Sequence, residues 1–295
     1  MRPALTGIVA TLLLLLNTLI LIGPMMLVAL LRLILPGKPL KDRCARSVMW
    51  IAETWAELCK KIFALMTPTH WDIRCDVPLR NDTSYLVISN HQSWVDIPAL
   101  IQAFNRKTPY FKFFLKQELI WVPFLGLAFW ALDYPFMKRY PKSLLAKKPE
   151  LKGKDLEITR AACEKFQGHA VTVVNYLEGT RFTPEKQARQ QSPYTHLLKP
   201  KAGGVAFVLA ALGDQLDAVL DVTVVYPEGK PPGFWQLLSG RVERVIIDIR
   251  VTDLDDALWQ GDYENDPAFR RYMHQWVGQL WQDKDARITA LKQDA

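Results

Sequence analysis

Tyr85-Leu86-Val87-Ile88-Ser89-Asn90-His91-Gln92-Ser93-Trp94-Val95-Asp96 decides the reading of this chain. A short apolar run breaks into a polar turn, and an apolar pattern at helical spacing follows over Val95–Phe104. A strand that turns and restarts as a helix is one unit of a sheet covered by helices. Outward from it, His70–Val77, Phe111–Leu115, Ala170–Tyr176, Val219–Tyr226 and Val245–Val251 read as further strands. Leu156–Phe166 and Gly204–Leu212 carry helical patterns between them. The expected fold class is therefore α/β, a mixed sheet covered by helices. Thr183–Lys201, rich in Gln and Pro, reads as a long loop. Lys138–Lys154 holds seven basic residues and one acidic one and reads as a solvated stretch.

At 295 residues the chain holds one large domain or two modest ones, and 49% hydrophobic residues exclude disorder as its main state. A mean hydropathy of zero means that apolar residues are concentrated somewhere. They lie at the start. From Pro3 to Leu31 there are 29 residues without a charge. A bilayer core needs about 20 apolar residues as helix, so this run suffices with tilt or with a bend at Pro24. A cleaved signal peptide has an apolar region of about 7–15 residues, so the run reads as an uncleaved membrane anchor. Arg32, Lys38, Lys41, Arg43 and Arg46 follow it, which places the rest of the chain on the cytoplasmic side. A second helix, roughly 41–66, has Val48, Ile51, Ala52, Trp55, Cys59, Ile62 and Phe63 at helical spacing. That periodicity fits a membrane-surface helix and a helix packed on the next domain equally well. The expected divisions are 1–66 (membrane anchor and amphipathic helix), 67–230 (catalytic α/β domain) and 231–295 (an extension packing on that domain).

Cys44, Cys59, Cys75 and Cys163 form no CxxC pair, which excludes a disulfide scaffold and suggests reduced thiols and no zinc site. Lys and Arg number 37 against 30 Asp and Glu, a net charge of +7 that favours acidic partners. The charge is modest and the anchor explains more, so no nucleic-acid partner is expected.

His91 and Asp96 are five residues apart. On one regular helix they would be turned about 140° from each other. With His91 in the turn and the helix starting near Ser93, Asp96 falls in the first helical turn and folds back onto the imidazole. The pair is then an oriented general base, Asp96 fixing the tautomer and stabilising the imidazolium. No Ser or Cys nucleophile stands in an elbow context, so the base is expected to activate a substrate hydroxyl directly. Alone the pair carries little weight, because among five histidines such a spacing arises readily by chance. A second strand end opens into Tyr176-Leu177-Glu178-Gly179-Thr180-Arg181, where a glycine turn beside a guanidinium suits a phosphate. The plainer reading of that segment is a surface loop with a Glu178–Arg181 ion pair.

Together the segments resemble the membrane-bound lysophospholipid acyltransferases of the 1-acylglycerol-3-phosphate acyltransferase type. Asn90, His91 and Asp96 match the NHxxxxD (HX4D) motif, and Glu178, Gly179, Thr180 and Arg181 match EGTR. Tyr134-Pro135-Phe136-Met137-Lys138-Arg139 is similar to the second motif, and Val222-Thr223-Val224-Val225-Tyr226-Pro227 to the fourth. Lys116-Gln117-Glu118-Leu119, Val122-Pro123-Phe124-Leu125-Gly126 and Lys199-Pro200-Lys201-Ala202-Gly203-Gly204 resemble further family segments. The resemblance covers about Tyr85–Pro227.

It implies that His91 is the base for a glycerol hydroxyl and Asp96 its partner. Arg181, with Arg139 or Lys138, would bind the acceptor phosphate, and Glu178, Gly179 and Thr180 would shape the acceptor pocket. The implied reaction moves a fatty acyl group from acyl-CoA or acyl-carrier protein to the sn-2 hydroxyl of a 1-acyl lysophospholipid, lysophosphatidate first, in phospholipid synthesis. No metal or cofactor is expected besides that co-substrate. The implied partners are the lysophospholipid, the donor and membrane lipids. The implied place is a bacterial inner membrane, with the catalytic domain facing the cytoplasm. Two alternatives stay open: remodelling of another lysophospholipid such as lysophosphatidylglycerol, and a catalytically silent lipid-binding protein.

Overall fold

The computed structural model describes residues 3–137 and 169–294, with Ala161, Cys163 and Phe166 between them. Lys138, Arg139, the basic stretch Lys138–Lys154 and nearly all of the expected helix Leu156–Phe166 lie outside the described residues.

The apolar start is one helix, α1 (Pro3–Ile34), with Pro24 inside it. It is long and apolar enough to cross a membrane by length and composition. It turns at Gly37, held at φ 82°, into α2 (Lys38–Met66), which pairs with it as a hairpin. α1 buries mostly small and polar residues, Thr6, Gly7, Ala10, Asn17 and Ala29 with Met25, and α2 buries Val48, Ile51, Ala52, Ala56, Cys59 and Phe63. Asn17 spans the seam, its amide donating to the Trp55 carbonyl (3.1 Å) and the Cys59 sulfur (3.4 Å). The apolar face of α2 is thus a packing face, against α1 and against the helix Asp96–Phe104.

After α2 the chain enters a six-stranded sheet in the order β1-β8-β7-β2-β6-β3. β1 (His70–Cys75) runs parallel to β8 (Arg244–Asp253), which pairs antiparallel with β7 (Ala218–Val225). β2 (Tyr85–Ser89) lies parallel between β7 and β6 (Thr172–Tyr176), and β3 (Phe111–Phe113) closes the edge beside β6. The sheet is mixed and every residue of β2 and β7 is buried, as expected for strands covered on both faces. Tyr85 and Val87 join one core with α1, α2 and α3 (Asp96–Phe104). Leu86 and Ile88 join the other with α6 (Ala202–Leu212) and α8 (Pro267–Gln293).

Four details differ from the sequence reading or add to it. A small ladder, β4 (Leu115–Lys116) with β5 (Phe136–Met137), brackets α4 (Leu125–Ala131). Thr183–Lys201 is not loop throughout, since it holds α5 (Pro184–Gln190), with Thr183 Oγ1 accepting from the Lys186 amide at 3.3 Å and Pro184 in the first turn. A short helix, α7 (Phe234–Leu238), lays Trp235 against Gly7 of α1. In α8, Lys284 is fully buried, with Nζ 2.5 Å from Asp221 Oδ1 and donating to the Val222 carbonyl at 2.6 Å. Arg287 reaches Asp221 and Asp248 at 3.2 and 3.3 Å, so an ion cluster fastens α8 to the sheet.

Candidate active site

β2 ends at Ser89, opposite Val222, while β7 continues to Val225. The backbone of Val224 therefore faces a position where β2 has run out. The Asn90 side chain fills it: its amide donates to the Val224 carbonyl and its oxygen accepts from the Val224 N–H, both at 2.9 Å. The ladder is extended by a side chain, no buried backbone group is stranded, and the main chain is free to turn. His91 sits at the crest of that turn, and Asp96 opens α3.

Asp96 folds back as the spacing predicts. Its Oδ2 lies 2.7 Å from His91 Nδ1 and accepts from the amides of Gln92 (2.7 Å) and Ser93 (2.9 Å). Its Oδ1 accepts from the Tyr226 hydroxyl at 2.5 Å. Surrounded by donors and out of water, the carboxylate acts as acceptor only, so the shared proton sits on Nδ1. That leaves Nε2 with its lone pair, the tautomer a general base requires. The imidazole side chain keeps 18% exposure while the Asp96 side chain keeps 1%, so the histidine is partly open and its supporting carboxylate sealed.

The EGTR segment is laced to the same turn. Glu178 is fully buried, accepting from the His91 amide at 2.9 Å and from the Leu198 amide at 3.0 Å. Burial pushes its carboxyl up to about 8, against those two amides. The expected Glu178–Arg181 pair is not what this carboxylate makes, because both its oxygens face backbone amides. Those two bonds tie the His91 turn to the Leu198 backbone. Gly179 closes the turn at φ 67°, its N–H donating to the Tyr176 carbonyl (2.9 Å). That positive φ favours glycine, and a Cβ there would also push on the end of the Lys201 side chain, 2.9 Å from Nζ. Lys186 Nζ donates to Thr180 Oγ1 (2.8 Å) and to the Arg181 carbonyl (2.7 Å), and the Phe182 amide donates to the His91 carbonyl (2.7 Å). The Arg181 guanidinium lies 4.4 Å above the exposed Trp94 ring, at the mouth of the site.

The structure thus brings His91, Asp96, Glu178, Gly179, Thr180 and Arg181 to one end of the sheet. It also assembles groups that the sequence reading did not single out. Tyr226 grips Asp96, and the Tyr176 ring stacks on His91 at 4.1 Å and 18°. Phe113 follows behind Tyr176 at 5.9 Å. Tyr176 stood in view just before Glu178, but the direction its ring faces depends on strand register. Among the described residues, no cluster of three His, Cys, Asp or Glu is placed to hold a metal.

A general base beside an anion-suited turn invites comparison with known proteins. The family model described as Acyltransferase matches residues 72–230, more than half of the chain. The chain belongs to the acyltransferase family. This acyltransferase is 26% identical over 190 residues to the mouse protein "1-acyl-sn-glycerol-3-phosphate acyltransferase gamma", covering 62% of this chain and 46% of that one. It is 26% identical over 121 residues to chicken "Lysocardiolipin acyltransferase 1", covering 38% and 30%. The acyltransferase spans about half the length, or less, of these curated relatives. Among solved structures, the Thermotoga maritima 1-acyl-sn-glycerophosphate (LPA) acyltransferase PlsC matches with a TM-score of 0.52 at 18% identity. That match covers 95% of this chain and 98% of the other, and it shows a shared fold.

Proposed function

We propose that the protein is an O-acyltransferase that esterifies the sn-2 hydroxyl of a 1-acyl lysophospholipid, lysophosphatidate first, from acyl-CoA or acyl-carrier protein. The observation that carries the reading is His91 Nδ1 held 2.7 Å from the sealed Asp96 with the imidazole partly open. Nε2 takes the acceptor hydroxyl proton as that oxygen attacks the thioester carbonyl carbon. The tetrahedral oxyanion collapses, the C–S bond breaks, and the proton on Nε2 passes to the departing thiolate. Products are the ester and the free thiol. In this reading His91 is the base, Asp96 its orienting partner and Arg181 the phosphate ligand, while Glu178 acts on His91 rather than on substrate. No cofactor is required besides the thioester.

The support for a membrane setting is that α1 exposes Leu12, Leu15, Leu16, Leu19 and Ile20. Both ends of α1 touch the α/β unit: Gly7 meets Trp235, and Arg32 pairs with Asp133 at 2.6 Å. Those contacts are separated by about 37 Å of helix, more than the roughly 30 Å of a hydrocarbon core. A spanning α1 would drag its domain through the bilayer. We therefore read α1 as lying in one leaflet against the domain, on the cytoplasmic side of a bacterial inner membrane. This places the acceptor's leaflet at the site, with the donor arriving from the aqueous side.

Relatives named for lysocardiolipin favour a second acceptor class, phosphodiester lysolipids. Acyl transfer from labelled oleoyl-CoA to a panel of lysolipids in mixed micelles tests both, and transfer to none of them would leave the lipid-binding reading. Arg181→Lys sharpens the choice. A phosphate monoester carries more charge and suits a bidentate fork, so the variant should lose about 1–3 kcal/mol in kcat/KM on lysophosphatidate and less on phosphodiesters. Equal losses on both acceptor types would remove Arg181 as the phosphate ligand.

A further inference from the structure

We propose that Tyr226 is a positioning residue of the His91–Asp96 pair, its buried phenol holding the aspartate that holds the histidine. This rests on the reading of His91 as base and names a third member of that site. Tyr226 follows the last residue of β7, one step past the strand and just before Pro227. It is 3% exposed, and its hydroxyl donates to Asp96 Oδ1 at 2.5 Å, with the Ser93 side chain alongside.

Asp96 has no exposure to water, so each lone pair on its carboxylate needs a protein donor. Oδ2 is served by His91 Nδ1 and the amides of Gln92 and Ser93. Those three bonds hold Oδ2 and do not reach Oδ1. The Tyr226 bond satisfies and anchors the other oxygen, so the carboxylate plane is held from both sides with Oδ2 facing Nδ1. Two strands meet here through side chains: Asn90 grips Val224 of β7, and Tyr226 at the end of β7 grips Asp96 beyond β2. The base is therefore positioned by the β2–β7 register as well as by its own turn. Tyr226→Phe keeps the ring and removes one oxygen, stranding Oδ1 in a dry site.

The groups facing the pair are Tyr176, stacked on His91, and Glu178, bonded to the His91 amide. Neither donates to Asp96 among the described hydrogen bonds, so neither replaces the phenol.

The first experiment compares wild type with Tyr226→Phe for transfer from oleoyl-CoA to 1-oleoyl lysophosphatidate. The expected result is a fall of about 10- to 100-fold in kcat, the scale of a lost hydrogen bond to a charged group, with KM for both substrates unchanged. In an Asp96→Ala background the same substitution should change kcat less than twofold, because the group it acts through is gone. A loss that persists in that background, or a rise in KM with kcat unchanged, assigns Tyr226 a structural role and overturns the proposal.

The second experiment needs no turnover. In protein labelled with 15N-histidine, with only five histidines to resolve, the His91 Nδ1–H proton should be low-field in wild type. It should move upfield in Tyr226→Phe and vanish in Asp96→Asn. An Nδ1–H signal indifferent to Tyr226→Phe refutes the positioning role even if no acceptor is turned over. Inactive wild type with the expected shifts instead overturns the functional reading and leaves the Tyr226 assignment standing.

Discussion

The helices α1 and α8 are both long, and they are built inside out relative to each other. α1 buries Thr6, Gly7, Ala10, Asn17 and Ala29 and turns a row of leucines outward. α8 buries Met273, Val277, Trp281 and Ile288 and, apart from the paired Lys284 and Arg287, shows most of its polar residues to the surroundings. Water cannot have selected both patterns. A helix facing water gains by hiding leucine, whereas a helix facing lipid gains nothing from it and packs through small and hydrogen-bonding residues. The two halves of the molecule are stabilised against different solvents, and each should respond to substitution by its own rule.

The largest expected effect separates chemistry from attachment. His91→Ala should lower turnover by about 10²–10⁴-fold while leaving sedimentation with lipid vesicles as in wild type. Loss of vesicle binding together with activity would break the independence of the halves.

Next comes the buried ion cluster of α8. Removing one partner strands the others, so Lys284→Ala should destabilise the α/β unit by about 3–5 kcal/mol, read by denaturant unfolding in detergent. A loss under 1 kcal/mol would mean that water enters beneath α8.

A pH effect follows from Glu178. Its folded carboxyl holds a proton up to about 8, whereas an unfolded glutamate releases it near 4.5. Between those values the native state binds the extra proton, so stability falls as pH rises, by at most about 1.4 kcal/mol per unit. Glu178→Gln should flatten the slope, and an unaltered slope in that variant would assign it to another group.

The smallest effects test the hairpin. Ala56→Leu overpacks the seam and should cost about 1–3 kcal/mol in detergent. Leu16→Ala, on the outer face, should cost less than about 0.5 kcal/mol in detergent yet weaken vesicle partition by about 1–2 kcal/mol. If Leu16→Ala unfolds the protein and Ala56→Leu is silent, the assignment of inner and outer faces is reversed.

What the sequence made legible was local. The strand Tyr85–Ser89 came out with both ends correct because its apolar run meets Asn90 and a helix start without ambiguity. The His91–Asp96 contact followed because five residues of turn and helix admit few conformations. Tyr226 did not follow, because 130 residues separate it from Asp96 and only the pairing of β2 with β7 brings them together. Glu178 was found by its motif; the plainer loop reading paired it with Arg181, and closeness in sequence says nothing of the His91 and Leu198 amides it meets. The helix α5 was missed although Thr183-Pro184 signals a cap followed by a first turn; the Gln-rich composition hid it.

The two contacts that tie α1 to the α/β unit bear on how such an enzyme travels. If α1 lies in one leaflet as proposed, Gly7 against Trp235 and Arg32 against Asp133 hold the catalytic end to the embedded helix near both ends of that helix. Leaving the surface means withdrawing the whole apolar flank at once. An enzyme of that shape works the vesicle it lands on and does not hop between vesicles. When vesicles outnumber enzyme molecules, product should stop accumulating once the occupied vesicles are exhausted. The plateau would then be set by the ratio of enzyme to vesicles and not by the equilibrium of the reaction.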